Sequence, residues 1–310
     1  MIIITGTLAY DYIMDFPGVF ADHILPEQLH TLNISFNLDN FEKRRGGTAG
    51  NVSYSLGLLK TPHLLFSVAG TGFSEYKQKF HHLGIDLSHV KVDPTKKIST
   101  GFAMTDKNNN QIWGFYYGAA ENITSLDLST VAKKGDLVLA GPSGDKGTMH
   151  IVKQAIDLGI SYMFDPGMVL SKISDEDLHL GIGNATYIIG NDYEITLMKK
   201  RVKDAEKYFA EKIVITTLGD KGAIIQDKDT TYTITSGVNN GVIDPTGAGD
   251  AWRAGFLSGL ERNLDLQTCG QMGAIVASYT IEKYGTQEHI FSLATFTKRY
   301  QESFGTELVL

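Results

Sequence analysis

Short apolar runs alternate with amphipathic stretches along most of this chain. "MIIIT", "HLLFSVA", "DLVLAG", "YMFD", "YIIG", "KIVITT" and "AIIQD" are short, rich in β-branched and aromatic residues, and bounded by turn formers. They predict buried strands. Between them, "AGNVSYSLGLLK", "TMHIVKQAIDLG" and "DYEITLMKKRV" place apolar residues at helical spacing. Strand and helix in alternation predict βα units, a mostly parallel sheet and helices on both faces. The last third reads as helix over 247–262, 265–284 and 291–303. Two segments break the pattern. Residues 11–45 are rich in aromatics and turn formers, and residues 98–118 read as two strands joined by a polar turn at Lys107–Asn110. Neither fits a βα unit, so they predict a small lid over the carboxyl edge of the sheet, where open α/β sheets bind ligands.

With 310 residues, 42% of them hydrophobic, the chain can bury a large core. The net charge is −7, and the basic clusters are short, such as Lys43-Arg44-Arg45 and Lys199-Lys200-Arg201. A nucleic-acid partner is not expected. The single cysteine, Cys269, excludes a disulfide scaffold and reads as a small core residue. No apolar run approaches the ~18 residues of a membrane span, and "MIIITG" lacks the basic start of a signal peptide. A cytoplasmic location is the expectation.

The chemistry concentrates in "VIDPTGAGDAWRAGF", residues 242–256. Glycines before a helix leave its first N–H groups open, and those groups with the helix dipole attract anions. Gly247-Ala248-Gly249 is therefore a candidate cradle for phosphate. Asp250 follows at once, where an acid would repel a bound anion. It makes sense if a hydroxyl must lose its proton beside a transferring phosphoryl group. On position alone the acid could equally cap the helix. Asn191 and Glu194, three apart at a helix start, read on spacing as an N-cap with a surface acid. Thr217, Gly219 and Gly222 follow a strand, either as an ordinary turn or as a loop that lets backbone approach a ligand. No Walker-type glycine loop is present, and "TGTLAYD" does not supply a G-x-G-x-x-G after the first strand.

Five motifs in one order resemble the ribokinase-like (PfkB) carbohydrate and nucleoside kinases. "DPTGAGDAWRAGF" is similar to that family's second signature at Thr246, Gly247, Ala248, Gly249, Asp250, Ala254 and Gly255. "RRGGTAGNVSYSLGLL" resembles the first, at Gly46, Gly47 and Asn51. "GNDYE" resembles its N-x-x-E, "TTLGDKGA" its nucleotide loop and "YGTQEH" its C-terminal loop. The resemblance covers the whole chain. It implies a single ribokinase-like, Rossmann-type three-layer α/β sandwich over 1–310, with a small β-sheet lid formed near 11–45 and 98–118.

The resemblance also implies roles. Asp250 is the general base beside an anion hole at Gly247, Ala248 and Gly249. Asn191, Thr217, Gly219, Gly222 and Thr246 border ATP. Glu194 and Asn191 hold Mg²⁺ through water, and Gly285, Thr286 and Gln287 lie where several members hold K⁺. Gly46, Gly47 and Asn51 approach the acceptor, while Asp11, just after the first strand, accepts hydrogen bonds from sugar hydroxyls. Many nucleoside-specific members carry Asn a few residues before that acid, where this chain has Thr7. Trp113, Phe115 and Tyr117 alternate and would share one strand face, either as lid packing or as a stacking platform for a base. "GGTAGN" with "AYDYI" resembles the adenosine kinase side of the family. The expected activity is phosphorylation of the 5′-hydroxyl of adenosine. A sugar kinase for ribose or a ketohexose is the alternative, and a non-catalytic nucleotide- or sugar-binding regulator is less favoured because Asp250 is intact. Monomer and homodimer both remain open.

Overall fold

The computed structural model describes residues 1–25, 31, 33–108 and 110–310. In chain order its strands are β1 (Ile2–Thr5), β2 (Ala9–Asp15), β3 (Asn40–Gly46), β4 (His63–Leu65), β5 (Ser67–Thr71), β6 (Val90–Lys97), β7 (Ser99–Thr105), β8 (Gln111–Tyr116), β9 (Leu137–Ala140), β10 (Ser161–Phe164), β11 (Tyr187–Asn191), β12 (Ile213–Thr217), β13 (Ala223–Asp227) and β14 (Thr230–Ile234). The longer helices are α1 (Thr48–Leu58), α2 (Ser74–His82), α3 (Asp145–Leu158), α4 (Asp175–Asn184), α5 (Asp192–Arg201), α6 (Ala205–Ala210), α7 (Ala248–Glu261), α8 (Leu266–Ile281) and α9 (Leu293–Phe304).

Eight of these strands form one sheet in the order β14-β13-β12-β11-β10-β9-β1-β4. From β4 to β12 the pairings are parallel, and β13 and β14 are added antiparallel. Side chains alternate across a strand, and the core follows that rule. Ile4, Leu139, Met163, Ile189 and Ile215 join one buried cluster with α1, α7 and α8, while Ile3, Val138, Phe164, Ile188 and Val214 join another with α3 to α6. Both faces of the sheet are covered, and the sandwich has three layers.

One predicted strand differs. "HLLFSVA" is not continuous: β4 stays in the main sheet, and Phe66 turns the chain so that β5 pairs with β6 in a separate two-stranded sheet. Phe66 is buried in the second cluster, and the Ser67 hydroxyl donates to the Gly6 carbonyl at 2.6 Å, which fixes the departure. β14 carries polar residues at most positions and escaped the apolar pattern.

β3, β2, β7 and β8 form a separate four-stranded sheet from the two segments expected to make a lid. Residues 26–30 and 32 of the first segment, and Asn109 in the predicted turn of the second, lie outside the described residues. The inward face of this sheet carries Asp11 opposite Arg44 and Gly101, with Gly101 opposite Phe115. β8 ends at Tyr116, so Tyr117 is not on its face.

Helices α7 and α8 pack unusually close. A Cβ built on Gly255 would sit 2.5 Å from the Met272 carbonyl oxygen, and one on Gly273 2.9 Å from the Trp252 ring. Backbone cannot yield as a flexible side chain can, so these glycines set the separation. Alanine is favoured over glycine inside a helix by ~1 kcal/mol, but overpacking costs ~1–3 kcal/mol. Gly255→Ala is therefore expected to destabilise the fold by about 1–2 kcal/mol, read as a lower urea midpoint at unchanged slope. A raised midpoint would show that the helices can move apart freely.

Candidate active site

The carboxyl ends of the parallel strands open onto three adjoining cavities. The turn and first residues of α7 border all of them. Pro245, Ala248, Gly249 and Trp252 line a cavity of about 290 Å³ with Thr217, Gly219, Gly222 and Ser236. Gly247, Gly249, Asp250 and Arg253 line one of about 650 Å³ with Asp165, Asn191, Glu194 and Thr217. Asp244, Pro245 and Thr246 line one of about 510 Å³ with Asp11, Asp15, Ala103, Trp113 and Tyr284 of the lid side.

Asp250 does not cap its helix. The N-cap is Gly247, at φ 78° in the left-handed region, where a Cβ would meet the Thr286 side chain at 2.7 Å. The Asp250 carboxylate instead accepts a 2.7 Å hydrogen bond from the Asn51 amide. Asp250 keeps some accessible surface in its cavity, yet burial pushes its pKa up to about 6, against the opposing pull of the Arg253 guanidinium and the Asn51 amide. Desolvation disfavours the charged form, and the nearby carboxylates of Asp165 and Glu194 add to it. A carboxylate poised near neutrality is suited to take a proton.

Of the expected cradle, Gly247 and Gly249 face the cavity that holds Asp250. Ala248 lines the smaller neighbouring cavity, and its N–H is committed to the Pro245 carbonyl at 3.2 Å. Thr246, expected beside ATP, lies in the lid cavity with its N–H on the Asp244 carboxylate.

Asp11 faces the lid cavity between two glycines. A Cβ on Gly46 would lie 2.0 Å from one of its oxygens, and a Cβ on Gly101 2.3 Å from the other. Only glycine leaves room for the carboxylate. Burial, and then the charge of Asp250, push its pKa up to about 6. Gly47 caps α1 and packs against the β1–β2 link, where a Cβ would sit 2.6 Å from the Thr7 carbonyl oxygen. Trp113 lines the lid cavity. Phe115 instead packs on Tyr117, with ring centroids 4.9 Å apart, and does not line it.

Asn191 and Glu194 form the cap that their spacing predicts. The Glu194 N–H donates to Asn191 Oδ1 and the Asn191 N–H to Glu194 Oε2, both at 2.8 Å. This capping box commits one oxygen of each side chain. The other Glu194 oxygen remains available on the cavity wall, and burial holds its carboxyl above the usual range. Among the described residues no group of three or more His, Cys, Asp or Glu is arranged to grip a metal directly. That donor set fits Mg²⁺ held through water, since Mg²⁺ keeps several waters and uses few carboxylates. Thr217 and Gly219 border both the small and the large cavity, and Gly222 the small one. The Thr286 and Gln287 side chains turn inward to Asn51, which leaves main-chain carbonyls as the ligands a monovalent cation would need.

The sequence reading missed a buried ion pair on this wall. Arg253 reaches Asp165 through Nε and Nη2 at 2.6 and 2.7 Å, and its Nη1 donates to the Gly249 carbonyl at 3.0 Å. Its traces were an arginine within an apolar helix and an acid closing the buried strand "YMFD". Two bidentate charges out of water are costly to break, so the pair braces the helix start that presents Asp250.

The description pfkB family carbohydrate kinase matches residues 10–291 of this chain. A nucleoside kinase of Methanothermobacter thermautotrophicus is 30% identical over 308 residues, spanning 97% of this chain and 96% of that protein. The structure of a Burkholderia thailandensis nucleoside kinase in complex with inosine superposes with a TM-score of 0.90 at 30% identity, covering 99% of this chain and 100% of that one. The same kinase in its ADP-inosine complex gives a TM-score of 0.87 at 32% identity, over 99% and 97% of the two chains.

Asp11 and Asp250 both prefer a proton in the folded state. The penalty for ionising them is absent below their unfolded pKa and complete once pH exceeds about 6. Asp11→Asn and Asp250→Asn are therefore expected to raise the melting temperature by about 1–3 °C at pH 8. The gain should fade at pH 4.5. Equal effects at both values would show that the two carboxylates are not desolvated.

Proposed function

This chain belongs to the pfkB family of carbohydrate kinases, and we propose that it transfers the γ-phosphoryl group of ATP to the 5′-hydroxyl of a nucleoside, with adenosine as acceptor. The observation that carries the reading is the segment 244–252, whose residues border all three cavities and which carries Asp250 on the wall of the largest. The nucleoside kinases similar to this chain, one of them with inosine and with ADP-inosine bound, support it.

In this reading the donor lies along the small and large cavities, beside Thr217, Gly219 and Gly249. The acceptor lies in the lid cavity. Asp11 takes the ribose diol with its two acceptor oxygens, and Trp113 offers a face to the base. Asp250 removes the 5′-hydroxyl proton as the oxygen attacks, and the N–H groups at the start of α7 face the charge of the transferring group. Mg²⁺, when bound, neutralises phosphate charge. Glu194 and Asn191 would hold it through water.

Asp250→Asn should lower turnover by ~10²–10⁴-fold while ADP still binds, as followed by calorimetry. An Asn variant with near-normal turnover would remove Asp250 from the base role.

Acceptor preference tests the substrate. Removing the 2′-hydroxyl strips a donor from the Asp11 carboxylate, a loss of ~1–3 kcal/mol. Adenosine should therefore exceed 2′-deoxyadenosine in kcat/KM by about tenfold, and free ribose should be poorer than both. Efficient turnover of ribose or fructose, with adenosine inert at matched concentrations, would replace the nucleoside by a sugar and leave Asp250 in place.

Glu194→Gln should raise the Mg²⁺ concentration for half-maximal rate by about tenfold, the usual weight of a residue that orients metal-bound water. An unchanged Mg²⁺ titration would take Glu194 out of the metal's surroundings.

A further inference from the structure

A chain of buried hydrogen bonds runs from the lid strand to Asp250, and its direction is fixed at one end. The Gly46 carbonyl can only accept, so the Tyr76 hydroxyl donates to it, at 2.8 Å. The Tyr76 oxygen is then left to accept, and it does so from Gln287 Nε2 at 2.5 Å. The second hydrogen of Nε2 goes to Asn51 Oδ1 at 2.8 Å. With its oxygen so engaged, Asn51 must turn its NH₂ the other way, onto the Asp250 carboxylate at 2.7 Å. The Thr286 hydroxyl lies 2.8 Å from both Asn51 Oδ1 and the Arg45 carbonyl oxygen, and its single hydrogen can go to only one of them, so the Gln287 amide is the donor committed to Asn51. An amide can be reversed with almost no change of shape, so only its partners decide which end faces Asp250.

We propose that Gln287, fixed in orientation by Tyr76, is a positioning residue that locks the Asn51 amide with its NH₂ toward the Asp250 carboxylate. The assignment rests on Asp250 being the base. Three features support a built device. Gln287 is 1% exposed and Tyr76 0%, so water cannot substitute for either partner. Gln287 Oε1 is buried with no hydrogen-bond partner, an expense that reversing the amide would not cure, since it would set oxygen against the Asn51 oxygen. Gly50 precedes Asn51 on α1, and a Cβ there would lie 1.7 Å from the Tyr76 hydroxyl, so the glycine admits that hydroxyl to the chain.

The chemical consequence is a matter of sign. The Asn51 hydrogen bond favours the ionised form of Asp250 and opposes the rise caused by burial. If Gln287 no longer holds the amide, Asn51 can present its oxygen to the carboxylate. Asp250 would then hold its proton to higher pH, and less of it would be in the form that can act as a base.

The test uses the intact protein with Mg-ATP and the best acceptor, and follows kcat from pH 5.5 to 9. For Gln287→Met we expect the acid limb to move up by about one pH unit, the plateau kcat to fall about tenfold and KM for ATP to stay within about twofold. Tyr76→Phe, which removes one hydroxyl at the far end of the chain, should move the limb in the same direction by about half as much. If Gln287→Met does not fold, Tyr76→Phe decides alone. Folded variants that bind ADP normally and keep the wild-type limb and plateau would overturn the proposal. Asp250→Asn run alongside separates the two ideas: a silent Gln287 with an inactive Asn variant removes the positioning role only, and an active Asn variant removes the base and the positioning role together.

Discussion

The hydrogen bond from Asn51 to Asp250 joins the two helix starts on which the site depends. Asn51 lies in the first turn of α1, which follows directly from lid strand β3, and Asp250 lies in the first turn of α7. One end of this contact is thus tied to the lid sheet and the other to the turn that borders all three cavities. Close packing supports both ends. Gly255 and Gly273 bring α8 against α7, and Gly50 lets Tyr76 in behind Asn51. An error of an ångström in either helix would break the contact between Asn51 and Asp250, and under the proposed function such misplacement is costly in rate.

The same region poses an electrostatic problem. A site that must receive phosphates gathers Asp165, Glu194 and Asp250 around one cavity. Arg253 is the local counterweight. It is buried, paired bidentately to Asp165, and close enough to oppose the rise in the Asp250 pKa. Asp165 takes part of that positive charge, and burial still leaves the Asp250 pKa raised to about 6. A metal ion held through water by Glu194 would add positive charge only when the donor is present, which fits a cavity that must bind and release a polyanion.

Much of the fold was legible because the central strands obey local rules. Ile2–Thr5, Leu137–Ala140 and Ile213–Thr217 are short runs rich in apolar residues, each followed by turn residues, and each is an interior strand of the sheet with neighbours on both sides. β14 was illegible because an edge strand with one wet face carries too few apolar residues, and the split at Phe66 depends on a contact with Ile4 that no local pattern announces. At the site, the motifs marked the backbone: the glycine turn, the residues around Asn191 and the loop after β12. What they could not mark were partners far apart in sequence. Arg253 and Asp165 are separated by 88 positions, and Gln287 and Asn51 by 236. Thr246 and Ala248 show the converse limit, since a motif position does not say which of three adjoining cavities a residue will line.

The two acids that matter most belong to different parts of the molecule. Asp11 is carried by the four-stranded lid sheet and Asp250 by a core helix, yet the charge on Asp250 is felt at Asp11. A like charge raises a carboxyl's pKa, so Asp11 resists ionisation beyond what its burial alone imposes. A polyol that donates a hydrogen bond to Asp11 would stabilise its charged form, while Asp250 remains the group able to take a proton. The acceptor would thereby sort the two carboxylates into one that binds and one that reacts. Each glycine beside Asp11, Gly46 on β3 and Gly101 on β7, leaves the space in which that sorting can occur. The four-stranded sheet is in this sense more than a cover, since it carries a buried carboxylate that feels the charge of Asp250.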